Sequence, residues 1–558
     1  MKNIFTRIGS LALAAVMLSS CHKLDVAITS ELTPDTYPQT EAQYNSAMGP
    51  VYTLFRSDYA VSYFFLQSSS TDESLLPIFG ADWIDGNKYL ELHRHTWTKD
   101  NAWVNSGWTY CANLIGTTNQ TISILKGAPD GDLKNTSLAE LRTMRGLFYF
   151  MMMDMYGNIP LDTLYGSTEL KPNTPRAQVF NFIESELKSS LPYLKIGTGA
   201  ATYGKPTRYM AYALLAKMYL NAQYYTGTQR YNDCIAACDS VMNAGGGTQY
   251  ALEPRASYLQ MFYPTNGPSL KEFVFALPFD ASVTNGYMFY ARYDLNRNLG
   301  IRYLYSGSTA GGNVDPIMNG TTGNGLTNNK PSGPRMTTNE FFAYFDDPND
   351  IRNKQWLSGP QTWQDGNPIL VKTTNLGYDQ FYTGASPAAA YTYQLDLKPL
   401  APSRLGGGSF DLGKDEIAWN IGTRNIKFLP DYTNTTSRNQ NNDVPIFRYS
   451  DIVLMKAEAI LRGGTPTAGH TALSLVNMLR NVRTTSAPLA AVTLDDLYKE
   501  RCREMAFECW HRNDAIRFGH YEDSYGLGKT NADTYRRIFP IPTVALTNNP
   551  SLTQNTGY

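Results

Sequence analysis

The sequence predicts a mostly α-helical protein built from tetratricopeptide-like helix pairs, with a large irregular, loop-rich region carrying short strands. Three observations predict it. Apolar residues recur at helical spacing across about 40–245 and again across 446–518, between capping and terminating residues. Small residues (Ala211, Ala213, Ala216) line one of these stretches, letting a second helix pack closely. From about Tyr250 to Asn442 the character changes: glycine, asparagine, threonine and tyrosine dominate, and apolar periodicity is short.

The chain opens with Lys2 and Arg7, an apolar run from Ile8 to Leu18, and then Leu18-Ser19-Ser20-Cys21. That order predicts a secretory signal peptide over 1–20. Its Leu-Ser-Ser-Cys ending resembles a bacterial lipobox, in which Cys21 is the lipidation site, takes acyl chains such as palmitate and becomes the first mature residue. The apolar run is too short to span a bilayer, and no later stretch approaches the necessary length. The mature chain is therefore expected to be water-soluble and tethered to a membrane by its lipid. Loss of Lys2 and Arg7 reduces the 48 basic residues to 46 against 49 acidic, a net charge of −3. So nearly neutral a chain lacks the concentrated basic face that nucleic acid requires. Five cysteines remain: Cys111, Cys234, Cys238, Cys502 and Cys509. An odd number at helical spacings reads as small buried apolar residues rather than a disulfide framework. The histidines are scattered and form no ligand cluster with them, so no metal or cofactor is expected.

Residues 21–39 read as an anchor and extended leader. Thr40-Glu-Ala-Gln43 is a capping box that opens a helix to about Phe55. The spacing of Trp108, Ile115, Asn119 and Ile122 predicts a helix over 103–125, and a longer helix over 138–156 is stopped by Gly157. Thr174-Pro175 puts a cap before proline at the first helical position and opens a helix to Leu194. The clearest pair follows, 207–225 with 231–242, and a second pair is predicted at 449–462 and 470–482. These define an N-terminal helical region (40–245), a loop-rich region (246–445) with a strand near 272–277, and a C-terminal helical region (446–558). All belong to one integrated unit, 21–558. Loops this long and this aromatic usually carry function.

Thr493-Leu-Asp-Asp496 caps a final helix expected to run unbroken to Phe518, with Gly519 as terminator. It contains Glu500-Arg-Cys-Arg-Glu-Met-Ala-Phe-Glu508, then Asp514 and Arg517-Phe518-Gly519. The chain ends with Phe539-Pro-Ile-Pro542 and Asn549-Pro-Ser-Leu-Thr-Gln-Asn-Thr-Gly-Tyr558. These segments resemble the SusD/RagB family of Bacteroidetes outer-membrane nutrient-binding lipoproteins. Further matches lie at Arg448-Tyr449 through Ala457-Glu458-Ala459, at 475–483, at 145–150 with Tyr156-Gly157 and Ile159-Pro160-Leu161, and at Trp108, Ile115 and Asn119. Cys509-Trp510-His511-Arg512-Asn513 departs from the family pattern, which has Gly after the last Glu and an Arg-Trp-Phe order before Asp514. The resemblance implies a SusD-like α-α superhelix and a non-catalytic protein on the outer face of the outer membrane. Such a protein binds oligosaccharide or polysaccharide nutrients and delivers them to a SusC-like TonB-dependent transporter. RagB-like relatives are associated with peptides, so peptide uptake is the alternative, and a surface glycoside hydrolase a more distant one.

Glu500, Glu504 and Glu508, interleaved with Arg501, Arg503 and Arg512, read as a salt-bridged packing helix rather than catalytic carboxylates. Gly408-Ser-Phe-Asp-Leu-Gly413-Lys414 falls one residue short of a phosphate loop and places Asp415 where a hydroxyl is needed. Sugars present flat C–H faces edged with hydroxyls, so a glycan site needs exposed rings rimmed by amides and charges. The stretch 83–108 has that composition, and the candidates within it are Trp83, Arg94, Trp97, Asn101 and Trp103. From the middle region Tyr305, Trp356 and Trp363 are candidate partners.

Overall fold

The computed structural model describes residues 37–79, 83–282, 293–294, 333, 335–362, 368, 370–373, 391–399, 410–413, 420–429 and 439–558. The first helix, Glu41–Asp58, begins at the expected capping box. The Gln43 N–H donates to the Thr40 hydroxyl at 3.3 Å, and the Gln43 side chain accepts from the Thr40 N–H at 3.1 Å. One π-helical turn, Tyr59–Tyr63, leads into the short helix Phe64–Ser68. Asn101 caps the helix Ala102–Lys126, its Oδ1 accepting from the N–H groups of Trp103 and Val104. The next helix, Asp132–Tyr156, starts before the predicted 138 and ends at Gly157, whose φ of 74° lies in the left-handed region.

Two predicted helices differ in detail. Thr174 does not cap the helix Arg176–Ser190; it pairs in a two-residue strand with Ile159, and Pro175 stands at the helix start. The stretch expected as one helix over 207–225 is broken at Asn221 into Arg208–Leu220 and Ala222–Thr226. The Asn221 amide donates to the Lys217 carbonyl and its Oδ1 accepts from Arg517, so the side chain competes with the helix ladder.

The helices pack as neighbouring pairs. Ala102–Lys126 lies against Asp132–Tyr156, which in turn packs on Arg176–Ser190. Arg208–Leu220 packs on Tyr231–Met242, and Tyr449–Leu461 joins Tyr231–Met242 to Ala472–Arg480. Ala211, Ala213 and Ala216 of the helix Arg208–Leu220 are fully buried. Gly107 shows how close the approach is: a Cβ there would overlap Leu66 Cδ1 and stand 2.8 Å from the Tyr156 hydroxyl. The five cysteines of the described residues are buried and form no disulfide.

The predicted strand near 272–277 is present as Phe273–Leu277. It pairs antiparallel with Val444–Arg448, in register Val444 to Leu277 and Arg448 to Phe273, with a bulge between. That second strand was not expected, because Pro445 within Val-Pro-Ile-Phe-Arg weakens the strand signal. The pair brings together the two ends of the loop-rich region.

The late helix is not continuous. Leu494–Met505 ends at Ala506, and His511–Phe518 begins afterwards; Phe507 (φ 60°) and Cys509 (φ 65°) occupy left-handed conformations between them. The break is held from outside, since the Phe507 N–H donates to the buried Glu73 carboxylate at 2.7 Å. Glu508 thereby leaves the helix and turns toward Arg448 and Lys427.

A buried ionic lattice joins these elements. The Arg448 guanidinium contacts Glu508 (2.7 Å), Glu504 (2.8 Å) and Glu272 (2.5 Å). Arg483 bonds Glu272 and Glu504, while Arg352 bonds Asp350, Glu500 and Glu504. Burial alone would raise the pKa of Glu504, but Arg483, Arg448 and Arg352 hold it well below the usual carboxylate range. Each of these three arginines meets at least one carboxylate from another segment, which fits a structural role.

Candidate ligand-binding site

An aromatic cleft of about 360 Å³ is lined by Phe65, Trp83, Asp85, Lys88, Tyr89, Trp103 and Tyr293. Its lip is formed by a contorted segment. Trp83 (φ 63°), Asp85 (φ 38°), Gly86 (φ 66°) and Asn87 (φ 65°) all adopt positive φ, which costs about 1–2 kcal/mol for each residue bearing a Cβ. Strain so concentrated persists only where surrounding packing enforces it, and it turns the Trp83 ring edge-on to Tyr293 at 5.1 Å. Trp103, on the first turn of its helix, stacks on Phe65 with centroids 4.4 Å apart. Its indole N–H has no partner among the described residues. Lys88 holds its ammonium 4.7 Å over the Trp103 ring and 5.1 Å over Tyr89, and pairs with Asp85 at 3.5 Å.

Beneath the cleft lies Arg335, fully buried, 4.5 Å from the Phe64 ring and paired with Asp294 at 3.5 Å. Burial pushes the Asp294 carboxyl up to about 7 against the pull of Arg335 and Arg424. The cleft thus offers flat faces, one cation and one carboxylate. That inventory suits a neutral ligand with apolar faces and a polar rim, such as a sugar.

The structure brings Trp83 and Trp103 to one cleft and places the other described candidates elsewhere. Trp97 has no exposed surface; its Nε1 donates to the Tyr558 hydroxyl at 2.9 Å, so it packs the C-terminus instead of facing a ligand. Trp356 is 7% exposed and enclosed by Phe341, Phe345 and Phe507, which makes it core. Asn101 is committed to helix capping and to Glu91 Oε2 at 2.7 Å. Arg94 donates to the Leu527 carbonyl at 3.2 Å, away from the cleft lining. Tyr305, Trp363 and Cys21 lie outside the described residues. Sequence reasoning missed Lys88, Tyr89, Phe65 and Tyr293. The signal for the first two was their position just after the Trp83–Asn87 cluster.

Among the described residues no group of three or more His, Cys, Asp or Glu could hold a metal, and no helix is long and apolar enough to cross a membrane.

Packed helix pairs carry a ring-lined cleft at the start of the helix Ala102–Lys126. The chain belongs to the SusD family, whose model matches residues 213–558; residues 65–220 match a second model, described as starch-binding associating with outer membrane. It is 24% identical over 442 residues to the starch-binding protein SusD of Bacteroides thetaiotaomicron, covering 75% of this chain and 72% of that protein. SusD-like protein P38 of Formosa agariphila is 21% identical over 568 residues, covering 97% of this chain and 96% of that protein. The fold is similar to that of surface glycan-binding protein A from Bacteroides thetaiotaomicron, solved in complex with laminarihexaose. That match has a TM-score of 0.66 at 17% identity and covers 93% of this chain and 100% of the other.

Proposed function

We propose that this protein is a non-catalytic, lipid-anchored receptor on the outer face of the outer membrane. It binds an oligosaccharide in the cleft and hands it to a SusC-like TonB-dependent transporter. The observation that carries the reading is the pairing of Trp83 and Trp103 across a cleft with a rim charge pair. Support comes from the relatives, one described as starch-binding and another solved with laminarihexaose. A stack on each ring is worth roughly 1 kcal/mol, and with hydrogen bonds the total is about 4–6 kcal/mol. That corresponds to dissociation constants from roughly millimolar to tens of micromolar, weak enough to release the ligand onward. Titration calorimetry against parallel glycan and peptide panels tests it: glycan binding weakened about fivefold in Trp83→Ala is the expected result. Binding of peptides alone would overturn it. Shorter products after prolonged incubation with a bound glycan would overturn the non-catalytic part. Isolation from native membranes with no co-purifying barrel would overturn the partnership.

A further inference from the structure

A second pocket of about 360 Å³ lies apart from the aromatic cleft, and its chemistry is different. It is walled by the turn 197–207, the segment 248–250 and the strand Phe273–Leu277 with the chain leading into it. Two lysines, Lys205 and Lys271, stand among its lining residues, and no carboxylate does. Among the described residues Lys205 donates to the neutral Asn45 Oδ1, at 3.0 Å, and Lys271 is exposed at the mouth. Among the described residues Glu140 interacts with Lys205; burial pushes its carboxyl up to about 7 against the pull of Lys205 and Lys195, so at neutral pH it is ionised only in part. Thr207, the N-cap of Arg208–Leu220, also faces the pocket and adds the positive end of that helix.

The remaining lining suits a sugar. Tyr250 is almost fully buried, 5.6 Å edge-on to Tyr209, and gives the pocket a rigid aromatic wall. Tyr203 is fixed by donating to Asp443 Oδ2 at 2.6 Å. Thr198 and Ser269 supply hydroxyls at the rim. In a chain whose mature charge is nearly zero, two lysines in an acid-free pocket are a local feature rather than part of a general basic surface.

We infer that this pocket is a second binding site for an acidic saccharide unit, its carboxylate or sulfate held between Lys205 and Lys271 and its ring against the tyrosine wall. The saccharide part rests on the glycan-binding reading above; the anionic part does not. The test is calorimetric titration of the full mature chain with tetragalacturonate, with a sulfated oligosaccharide, with a neutral glucan hexaose and with inorganic sulfate. Wild type, Trp83→Ala and the double variant Lys205→Gln/Lys271→Gln are compared at low and high salt. Exposed charge pairs are individually weak, so the double variant lowers affinity for the acidic oligosaccharides by about five- to tenfold. Raising salt does the same. Trp83→Ala leaves this binding in place, and the neutral hexaose is indifferent to the lysines. Acidic binding that survives the double variant but disappears in Trp83→Ala overturns the second site. Acidic oligosaccharides binding no better than inorganic sulfate overturn the saccharide assignment. Failure of the neutral hexaose alone counts against the aromatic cleft and not against this pocket.

Discussion

Trp83 and Trp97 are the same side chain in one short stretch, yet one is partly exposed at the lip of a cleft and the other has no exposed surface. Their truncations separate binding from stability. Trp83→Ala weakens glycan binding about fivefold, the worth of one ring stack, and changes stability by less than about 1 kcal/mol. Trp97→Ala opens a large core cavity and costs about 3–5 kcal/mol, readable by denaturant titration. Buried histidines set a pH window. Burial would lower the pKa of His511, but Asp72, at 2.6 Å, and Cys502 hold it well above its ordinary value. A raised folded pKa contributes stability that is complete below the unfolded value near 6.5 and is lost as pH climbs through the folded one. His93 is opposite: burial depresses it to about 4, so its contribution is lost as pH falls from about 6.5 toward 4. Melting temperature against pH is therefore expected to show His511→Gln flattening the alkaline limb and His93→Gln the acid limb. Unchanged limbs in these variants would contradict both assignments.

At the scale of elements, what was legible in the sequence was what is local. The capping box at Thr40, the cap at Thr493 and the stop at Gly157 each depend on residues within a turn, and each is found where expected. The break in the late helix was not legible, because its anchor, Glu73, is 434 residues away from Phe507. The same holds for the cleft. Ring and amide composition pointed to Trp83 and Trp103, but the contribution of Tyr89 and Tyr293 depends on the positive φ of Trp83, Asp85, Gly86 and Asn87 and on tertiary approach. The alternating Glu and Arg residues were correctly read as structural, while their partners, Arg448, Arg483 and Arg352, come from other elements. Arg448 sits where the strand Val444–Arg448 enters the helix Tyr449–Leu461, and it serves three carboxylates at once. Arg448→Met leaves Glu272, Glu504 and Glu508 with excess buried charge and is expected to cost about 3–5 kcal/mol. Urea unfolding measures it; a loss below about 1 kcal/mol would mean water reaches the lattice.

The whole molecule is closed by its C-terminus, and that closure supports the cleft. The segment from His93 to Lys99 is fastened to the last part of the chain: His93 to the Gly526 carbonyl, the His95 carbonyl to Asn531, and the Thr543 N–H to the Lys99 carbonyl at 3.1 Å. Asn555 then donates to the carbonyls of Tyr156 and Phe539, and the Tyr558 hydroxyl accepts from Trp97 while donating to the Ile538 carbonyl at 2.7 Å. The tail carries part of the family resemblance, and these bonds give a physical reason for its sequence. Asn is needed for two carbonyls at once, and Tyr for a hydroxyl that both donates and accepts. Removal of residues 555–558 leaves the Trp97 indole N–H buried without a partner and frees three carbonyls, an expected cost of about 3 kcal/mol. Trp97 lies just before Asn101 and Trp103, so loosening it also blurs the cleft. The truncated chain is therefore expected to lose glycan affinity together with stability, whereas Trp83→Ala loses affinity alone. Calorimetry at a temperature where both variants remain folded distinguishes these outcomes: truncation that lowers stability while leaving affinity intact would uncouple the tail from the site.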